Sequence, residues 1–180
     1  SKPSQSVLSL QPLKWPRVAK AIDPHPYLVA GLGQARLGNA RLGYLSEGTL
    51  LELSGRVGDH YRVYLTDSLS AWISSNTIQL QPVGTFPPRS LVDSALLRVN
   101  STEDVFSLSL RTRIPYALQP IMNPPQLILN LYGATSNLNW IQQSDSEGII
   151  QQVSWEQIEK NLLRLRFNLR KPPTWGFSAK

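Results

Sequence analysis

The sequence contains no cysteine among its 180 residues, and its only two histidines are His25 and His60. The absence of cysteine excludes disulfides, thiol catalysis, cysteine-ligated zinc and iron–sulfur clusters. A hydrolytic zinc site needs about three histidine, carboxylate or thiolate ligands. Two histidines so far apart in sequence do not supply them, so we expect both to be surface or half-buried side chains. We also expect this chain to hold no cofactor.

Other signatures of catalysis are missing as well. The sequence has neither a Gly-x-Ser-x-Gly nucleophile elbow nor a glycine-rich phosphate loop. The carboxylate pairs Glu103/Asp104 and Glu156/Glu159 fall near predicted turns or strand ends, where solvated charge is the ordinary explanation. No apolar run approaches the roughly 18 residues of a membrane span. The sequence therefore predicts a non-enzymatic chain without a membrane span. No signal peptide is part of this sequence, and a removed signal peptide and one that never existed are both compatible with it.

The charge is basic but evenly spread. Eighteen Lys and Arg against 12 Asp and Glu give a net charge of +6. Residues 1–85 carry eight basic and five acidic residues, and residues 86–180 carry ten and seven, so each part has a net charge of +3. No basic tail or run is present. This distribution disfavours a nucleic-acid partner.

Fourteen prolines and 11 glycines predict many turns and an all-β fold. Residues 1–26 read as a proline-rich extended leader, with Trp15 and Ile22 able to pin parts of it onto a domain. Residues 27–84 contain a series of short β-prone runs and predict a small β-barrel. These runs are 27–30, 49–53, 61–65, 71–73 and 77–80, with a turn-rich connection at 54–59. The glycine-rich repeat at 33–43 predicts a loop.

Prolines and glycine at 82–88 predict a break, after which residues 88–180 form a second β-rich domain. Residues 105–110, 126–132 and 163–170 alternate apolar and polar side chains, as strands with one buried face do. Ser154 and Gln157 could open a short helix with a capping box. We favour instead a hairpin that turns at 159–161 into the strand 163–170. The segment after 173 predicts a further strand, as if the domain were truncated at its C-terminus.

The segment 36–80 resembles the bacterial Src-homology-3-like barrel. Gly48, the run Tyr61-Arg62-Val63 and the run Ala71-Trp72-Ile73 stand at the positions of that family's turn and strand motifs, with Ala71 in place of the usual glycine. The resemblance implies binding of cell-wall peptides, because aromatic platforms and flanking charges suit short peptides. The candidate ligand-binding residues are Tyr44, Asp59, Tyr61, Arg62 and Trp72. The alternative is that Tyr61 and Trp72 fill a small core.

The second segment is similar to AMIN-type domains. Its run from Pro125 to Asn137 contains a strand that leads into a Gly-Ala turn, with Asn130 where that family often has Asp. The resemblance implies a β-sandwich. It also implies that the chain is the N-terminal, non-catalytic region of an N-acetylmuramoyl-L-alanine amidase, a hydrolase whose zinc-bearing catalytic domain would follow Lys180.

Arg164, Arg166 and Arg170 recur at period two along one predicted strand. Three guanidinium groups on one face could bind anionic glycan strands, teichoic acids or nucleic-acid phosphate. A solvated strand face is the alternative.

Together these features predict a peptidoglycan-binding module of the periplasm or cell envelope. Its partners would be peptidoglycan, through a stem peptide or glycan, and its own C-terminal amidase domain. Tethering a weak binder to a hydrolase raises the effective concentration of the enzyme at an insoluble polymer. Two alternatives stay open: a basic nucleic-acid-binding barrel, and a structural or autoinhibitory spacer.

Overall fold

The computed structural model describes residues 13–32, 41–99, 102–136, 140–143, 147–173 and 178, and for 41–44, 140, 141 and 143 it describes the backbone only. Within these residues the chain forms sixteen strands and one short 3-10 helix, Ser75–Thr77, which confirms the all-β fold class. None of the described residues forms a helix long and apolar enough to span a membrane.

The N-terminal half of the protein is one antiparallel seven-stranded sheet with the order β3-β2-β6-β5-β4-β1-β7. Its strands are β1 (Arg17–Ala21), β2 (Tyr27–Val29), β3 (Arg41–Tyr44), β4 (Leu50–Val57), β5 (His60–Thr66), β6 (Leu69–Ser74) and β7 (Ile78–Leu80).

This sheet is rolled but not closed. Leu45 donates its N–H to Pro26 next to β2, and Gly48 donates to Ala21 next to β1. Four inter-strand spacings separate β1 from β2 in the sheet, about 19 Å if it were flat. The three residue steps from Leu45 to Gly48 span at most about 11 Å. Because Leu45 bonds beside β2 and Gly48 bonds to β1, these two strands must approach each other more closely than in a flat sheet, so the sheet must curl. Among the described residues no pairing joins the edge strands β3 and β7, and the predicted barrel is therefore an open, rolled sheet.

Three local expectations for this half were wrong in whole or in part. Residues 17–21, expected in an extended leader, form β1 between β4 and β7. The turn-rich connection at 54–59 is mostly strand, because β4 runs to Val57 and only Gly58 and Asp59 form the loop. A two-residue hairpin loop favours glycine where φ is positive, and Gly58 has φ +58°. The loop predicted at 33–43 is wrong for residues 41–43, which belong to β3 and pair with β2; residues 33–40 lie outside the described residues.

The rolled sheet encloses a core to which each of its six strands with described side chains contributes. The buried members from this half are Ala19, Leu28, Leu45, Leu51, Leu53, Tyr61, Val63, Leu65, Ala71, Ile73 and Ile78. Period-two burial in β4 and β5 explains the arrangement, since alternate residues of each strand point inward.

The C-terminal half contains a five-stranded antiparallel sheet, a hairpin and a short parallel pair. The hairpin joins β9 (Ala95–Val99) and β10 (Asp104–Leu108), and the parallel pair joins β8 (Ser90–Leu91) and β13 (Ala134–Thr135). The five-stranded sheet has the order β11-β12-β16-β15-β14, with β11 (Tyr116–Ile121), β12 (Gln126–Tyr132), β14 (Trp140–Gln143), β15 (Ile150–Glu159) and β16 (Leu162–Leu169).

One face of the five-stranded sheet packs against the β9–β10 hairpin. Val153, Leu163, Leu165 and Phe167 are buried there, and the rings of Phe106 and Phe167 meet edge to face at 5.1 Å. The alternation predicted for β16 is confirmed. In β12 the predicted apolar side, Leu127, Leu129 and Leu131, packs against this core. Its other side is not solvated as predicted, because Ile128 and Tyr132 are buried there, Tyr132 in the N-terminal core. The hairpin preferred for 150–170 is also confirmed, because the apolar residues of both strands share the buried face.

The two halves are in contact through their side chains and backbone. Tyr132 and Leu162 of the C-terminal half are buried in the core of the N-terminal half. Leu50 donates its N–H to the carbonyl of Arg113 (3.1 Å), whose Nη1 donates to the carbonyl of Glu47 (2.6 Å). Since these bonds satisfy backbone groups on the loop that enters β4, the C-terminal half completes the N-terminal sheet at this point.

A second set of polar contacts lies beside the β15–β16 turn. The Ser68 hydroxyl donates to the Glu159 carboxylate at 3.0 and 3.1 Å, and the Asn161 amide donates to the Tyr64 hydroxyl at 3.3 Å. Asn161 has φ +67° in the two-residue loop between β15 and β16, a conformation that asparagine tolerates better than most residues. The domain boundary expected at 82–89 stays a prediction.

Candidate functional site

Arg62 and Trp72 are the two candidate residues that the N-terminal sheet brings side by side. They are directly paired on β5 and β6, so both side chains point away from the core. Trp72 is half-buried, and its other neighbour is Val29 on β2. The Arg62 guanidinium donates to the hydroxyl and the carbonyl of Ser54, at 2.9 and 3.2 Å. These two residues form a small cation–aromatic patch on the outer face of the sheet.

Tyr61 points to the opposite side of β5 and belongs to the core. Only 6% of its surface is exposed, and its ring meets Trp15 edge to face at 6.1 Å. The guanidinium of Arg56 lies over the same ring, 5.2 Å from its centroid. The structure favours the alternative that Tyr61 fills the core, because little of its ring is accessible to a ligand.

The other two candidates of this half lie apart from the Arg62–Trp72 patch. Asp59 is at the tip of the β4–β5 hairpin, fully solvated, with its Oδ1 2.8 Å from Nδ1 of His60. Tyr44 ends β3 opposite Tyr27, and its side chain lies outside the description. The four predicted residues whose side chains are described, Asp59, Tyr61, Arg62 and Trp72, therefore do not converge on one pocket.

The second candidate surface is the outer face of the five-stranded sheet, which we call the amide–arginine face. Cross-strand register arranges it in three rows, each with one residue from β12, β16 and β15. The rows are Asn130–Arg164–Glu156, Ile128–Arg166–Ser154 and Gln126–Asn168–Gln152. Rows are about 6.8 Å apart along the strands and strands about 4.8 Å apart.

Hydrogen bonds connect this face into a network. The Arg164 Nε donates to Asn130 Oδ1 at 2.8 Å, and the Arg166 Nη1 donates to Gln126 Oε1 at 3.1 Å. Each guanidinium group is thereby oriented by an amide oxygen. An arginine held in one orientation loses less side-chain entropy when it binds a ligand.

The third row is a ladder of amides. The Gln126 Nε2 donates to Asn168 Oδ1 at 2.9 Å, and the Asn168 Nδ2 donates to Gln152 Oε1 at 3.1 Å. Sequence reasoning missed Gln126 and Gln152, although both sit on the polar side of alternating strands. The signal in the sequence is the apolar alternation that β12, β15 and β16 share. Pairing the three strands by that alternation would have placed Gln126 and Gln152 on the same face as the arginines.

Arg170, the third predicted arginine, lies outside these rows. β16 ends at Leu169, and the Arg170 Nε donates to the carbonyl of Gly148 at 2.9 Å. Its period-two spacing from Arg164 and Arg166 therefore does not place it on the same face, because the strand geometry stops one residue earlier.

Tyr132 borders the first row of this face. Burial raises the pKa of its hydroxyl, while the positive charge of Arg164 and a hydrogen bond with Asn130 lower it in part. The Arg164–Asn130 pair thus lies next to the buried contact between the two halves, where Tyr132 enters the N-terminal core.

Within the part of the chain that the structure describes, no three His, Asp or Glu side chains come together to hold a metal ion. Comparisons of the chain with protein families, curated proteins and solved structures gave no match.

Proposed function

We propose that the protein binds peptidoglycan through the amide–arginine face and, as the non-catalytic part of an N-acetylmuramoyl-L-alanine amidase, directs that enzyme to the cell wall of the periplasm or envelope. The observation that carries the binding proposal is the three-row network on β12, β16 and β15. Its rows place half-buried amide and guanidinium groups at regular spacing on one sheet face, around Ile128, which is only 5% exposed.

The chemistry of these groups suits a glycan. Sugar hydroxyls and N-acetyl groups each donate and accept hydrogen bonds, and side-chain amides do the same. Arg164 and Arg166 add charged donors for the carboxylates of the wall polymer. Regular rows of such groups favour a repeating, extended ligand over a compact one.

The same face is less suited to nucleic acid. Its three rows contain no aromatic side chain on which a base could stack. This feature favours peptidoglycan over the nucleic-acid alternative.

The test is co-sedimentation with purified, protein-free peptidoglycan at moderate salt. The Arg164→Gln/Arg166→Gln double variant should bind at least tenfold more weakly than the unchanged chain. Arg98→Gln is the matched control, because Arg98 is an exposed arginine on β9, outside the amide–arginine face. Binding by the control should stay within twofold.

Two results would overturn the proposal. One is a chain that remains in the supernatant with peptidoglycan yet shifts an oligonucleotide. The other is equal loss of binding in the double variant and in Arg98→Gln, since that would indicate a general charge effect. A separate arm tests targeting: fusion of the chain to an amidase catalytic domain should increase hydrolysis of intact walls, but not of a soluble muropeptide.

A further inference from the structure

The segment between the two halves contains a well-defined turn. Thr85 donates both its N–H (3.1 Å) and its hydroxyl (2.6 Å) to the carbonyl of Pro82. Gly84 has φ +86°, as the third residue of a type II turn requires. Gln81 donates its N–H to Val18 at 2.8 Å, which anchors the start of the turn to β1. The turn is therefore held in place at its base.

This turn presents two apolar side chains to solvent. Val83 is 83% exposed and Phe86 is 88% exposed, higher than any other large apolar side chain of the described residues. Single exposed apolar residues are common on protein surfaces. Here Val83 lies in the hydrogen-bonded turn and Phe86 follows it directly, before Pro87 and Pro88, so two highly exposed apolar side chains lie close together in sequence. We call Val83 and Phe86 the apolar pair.

The chain around the apolar pair is basic. Residues 13–22 and 68–92 contain no Asp or Glu, and their cations are Lys14, Arg17, Lys20 and Arg89. The Arg17 Nη2 donates to the carbonyl of Gln81 at 2.9 Å, which places this cation at the base of the turn. Lys14 and Lys20 are exposed. Glu52 neutralises Arg89, and Arg17 is half-buried with a buried Nε. Lys14 and Lys20 are therefore the cations of these two segments that face solvent.

We propose that the apolar pair inserts into the headgroup region of an anionic lipid bilayer, and that the exposed Lys14 and Lys20 contact the lipid charges. A protein-protein interface of ordinary size buries about 800 Å² on each side, more than two side chains on one turn supply. A bilayer needs no shape complementarity, and each basic residue near an anionic surface adds to the attraction. This proposal stands apart from peptidoglycan binding, which uses a different face.

The experiment uses the full 180-residue chain and vesicles of 30% phosphatidylglycerol in phosphatidylcholine. The Val83→Ser/Phe86→Ser variant should bind at least tenfold more weakly than the unchanged chain in co-sedimentation. Met122→Ser is the matched control, since Met122 is a 51% exposed apolar residue on the β11–β12 turn. It should bind within twofold of the unchanged chain. Pure phosphatidylcholine vesicles should bind poorly.

The absence of cysteine permits a site-specific readout. A Phe86→Cys variant that carries an environment-sensitive fluorophore should show a blue shift on anionic vesicles, and the labelled Met122→Cys variant should show none. Equal binding by the Val83→Ser/Phe86→Ser variant, or an equal shift at both labels, would overturn the proposal. So would concentration-dependent self-association that Phe86→Ser abolishes in the absence of vesicle binding, because the pair would then contact a second copy.

Discussion

Arg89 and Glu52 form an ion pair, with Nη2 2.7 Å from Oε2, that ties the segment leading into the C-terminal half to β4. The Arg89 guanidinium also lies over the ring of Tyr64, 5.5 Å from its centroid. The Glu52 side chain is 14% exposed and that of Arg89 is 38% exposed. The carboxylate is thus the more buried member and depends on its partner.

Arg89→Met should therefore destabilise the protein by about 1–3 kcal/mol, because it leaves a mostly buried carboxylate without its charged partner. The double variant Arg89→Met/Glu52→Gln should recover part of this loss, since it removes the unpaired charge. Urea unfolding at neutral pH measures both values. If the losses of unfolding free energy in Arg89→Met and in Glu52→Gln add up to the loss in the double variant, the ion pair contributes no coupling free energy.

Gly133→Ala should be more destabilising than Gly84→Ala, although both glycines have positive φ, +93° and +86°. A Cβ on Gly133 would lie 2.8 Å from the carbonyl oxygen of Pro88, whereas one on Gly84 would meet nothing within 4 Å. Gly84→Ala should cost about 1 kcal/mol from the backbone conformation alone. Gly133→Ala adds a backbone clash and should cost roughly 3 kcal/mol in total. Thermal unfolding of the two variants checks the order, and equal costs would contradict it.

Asn161 combines a left-handed backbone with a hydrogen bond to Tyr64, and two substitutions separate these roles. Asn161→Gly keeps the conformation accessible and loses only the bond, at a cost of about 1 kcal/mol. Asn161→Ala loses both and should cost about 2–3 kcal/mol. Denaturant unfolding gives the two free energies. An alanine variant as stable as the glycine variant would contradict the backbone argument.

The buried hydroxyl of Tyr132 predicts a loss of stability at high pH. Its pKa is raised above the ordinary value of 10.0, chiefly by burial. The folded state therefore retains the phenolic proton more strongly than the unfolded state. The contribution of Tyr132 to the unfolding free energy is complete below pH 10 and is lost as the pH rises through the pKa that Tyr132 has in the folded state. Tyr132→Phe should flatten the fall in unfolding free energy between pH 10 and 12. If the unfolding free energy of Tyr132→Phe falls as steeply between pH 10 and 12 as that of the unchanged chain, the pKa of Tyr132 is not raised in the folded state.

The sequence was most informative where one periodicity continued over seven or eight residues. Leu163, Leu165 and Phe167 alternate with polar side chains, so both the strand and its buried face could be predicted. The hairpin over 150–170 followed from the same pattern. These elements need only local information, because the period-two alternation of side chains belongs to the strand itself.

The strand Arg17–Ala21 was not predicted, because Pro12, Pro16, Pro24 and Pro26 surround it and suggested an extended leader. Its pairing with β4 and β7 is long-range and leaves no local signal. The amide–arginine face was predicted in part, since Arg164 and Arg166 were identified. Gln126 and Gln152 join them only through cross-strand register, which composition does not reveal.

The position of β1 has a practical consequence for how the chain can be divided. β7 pairs, among the described residues, with β1 alone, and β1 also covers one side of β4. A fragment cut at residue 27 would release β7 and leave the long strand β4 as a new open edge. Open edges of this kind invite pairing between copies. Expression of 27–84 alone should therefore yield aggregates, whereas any soluble fragment of this half has to begin before Arg17.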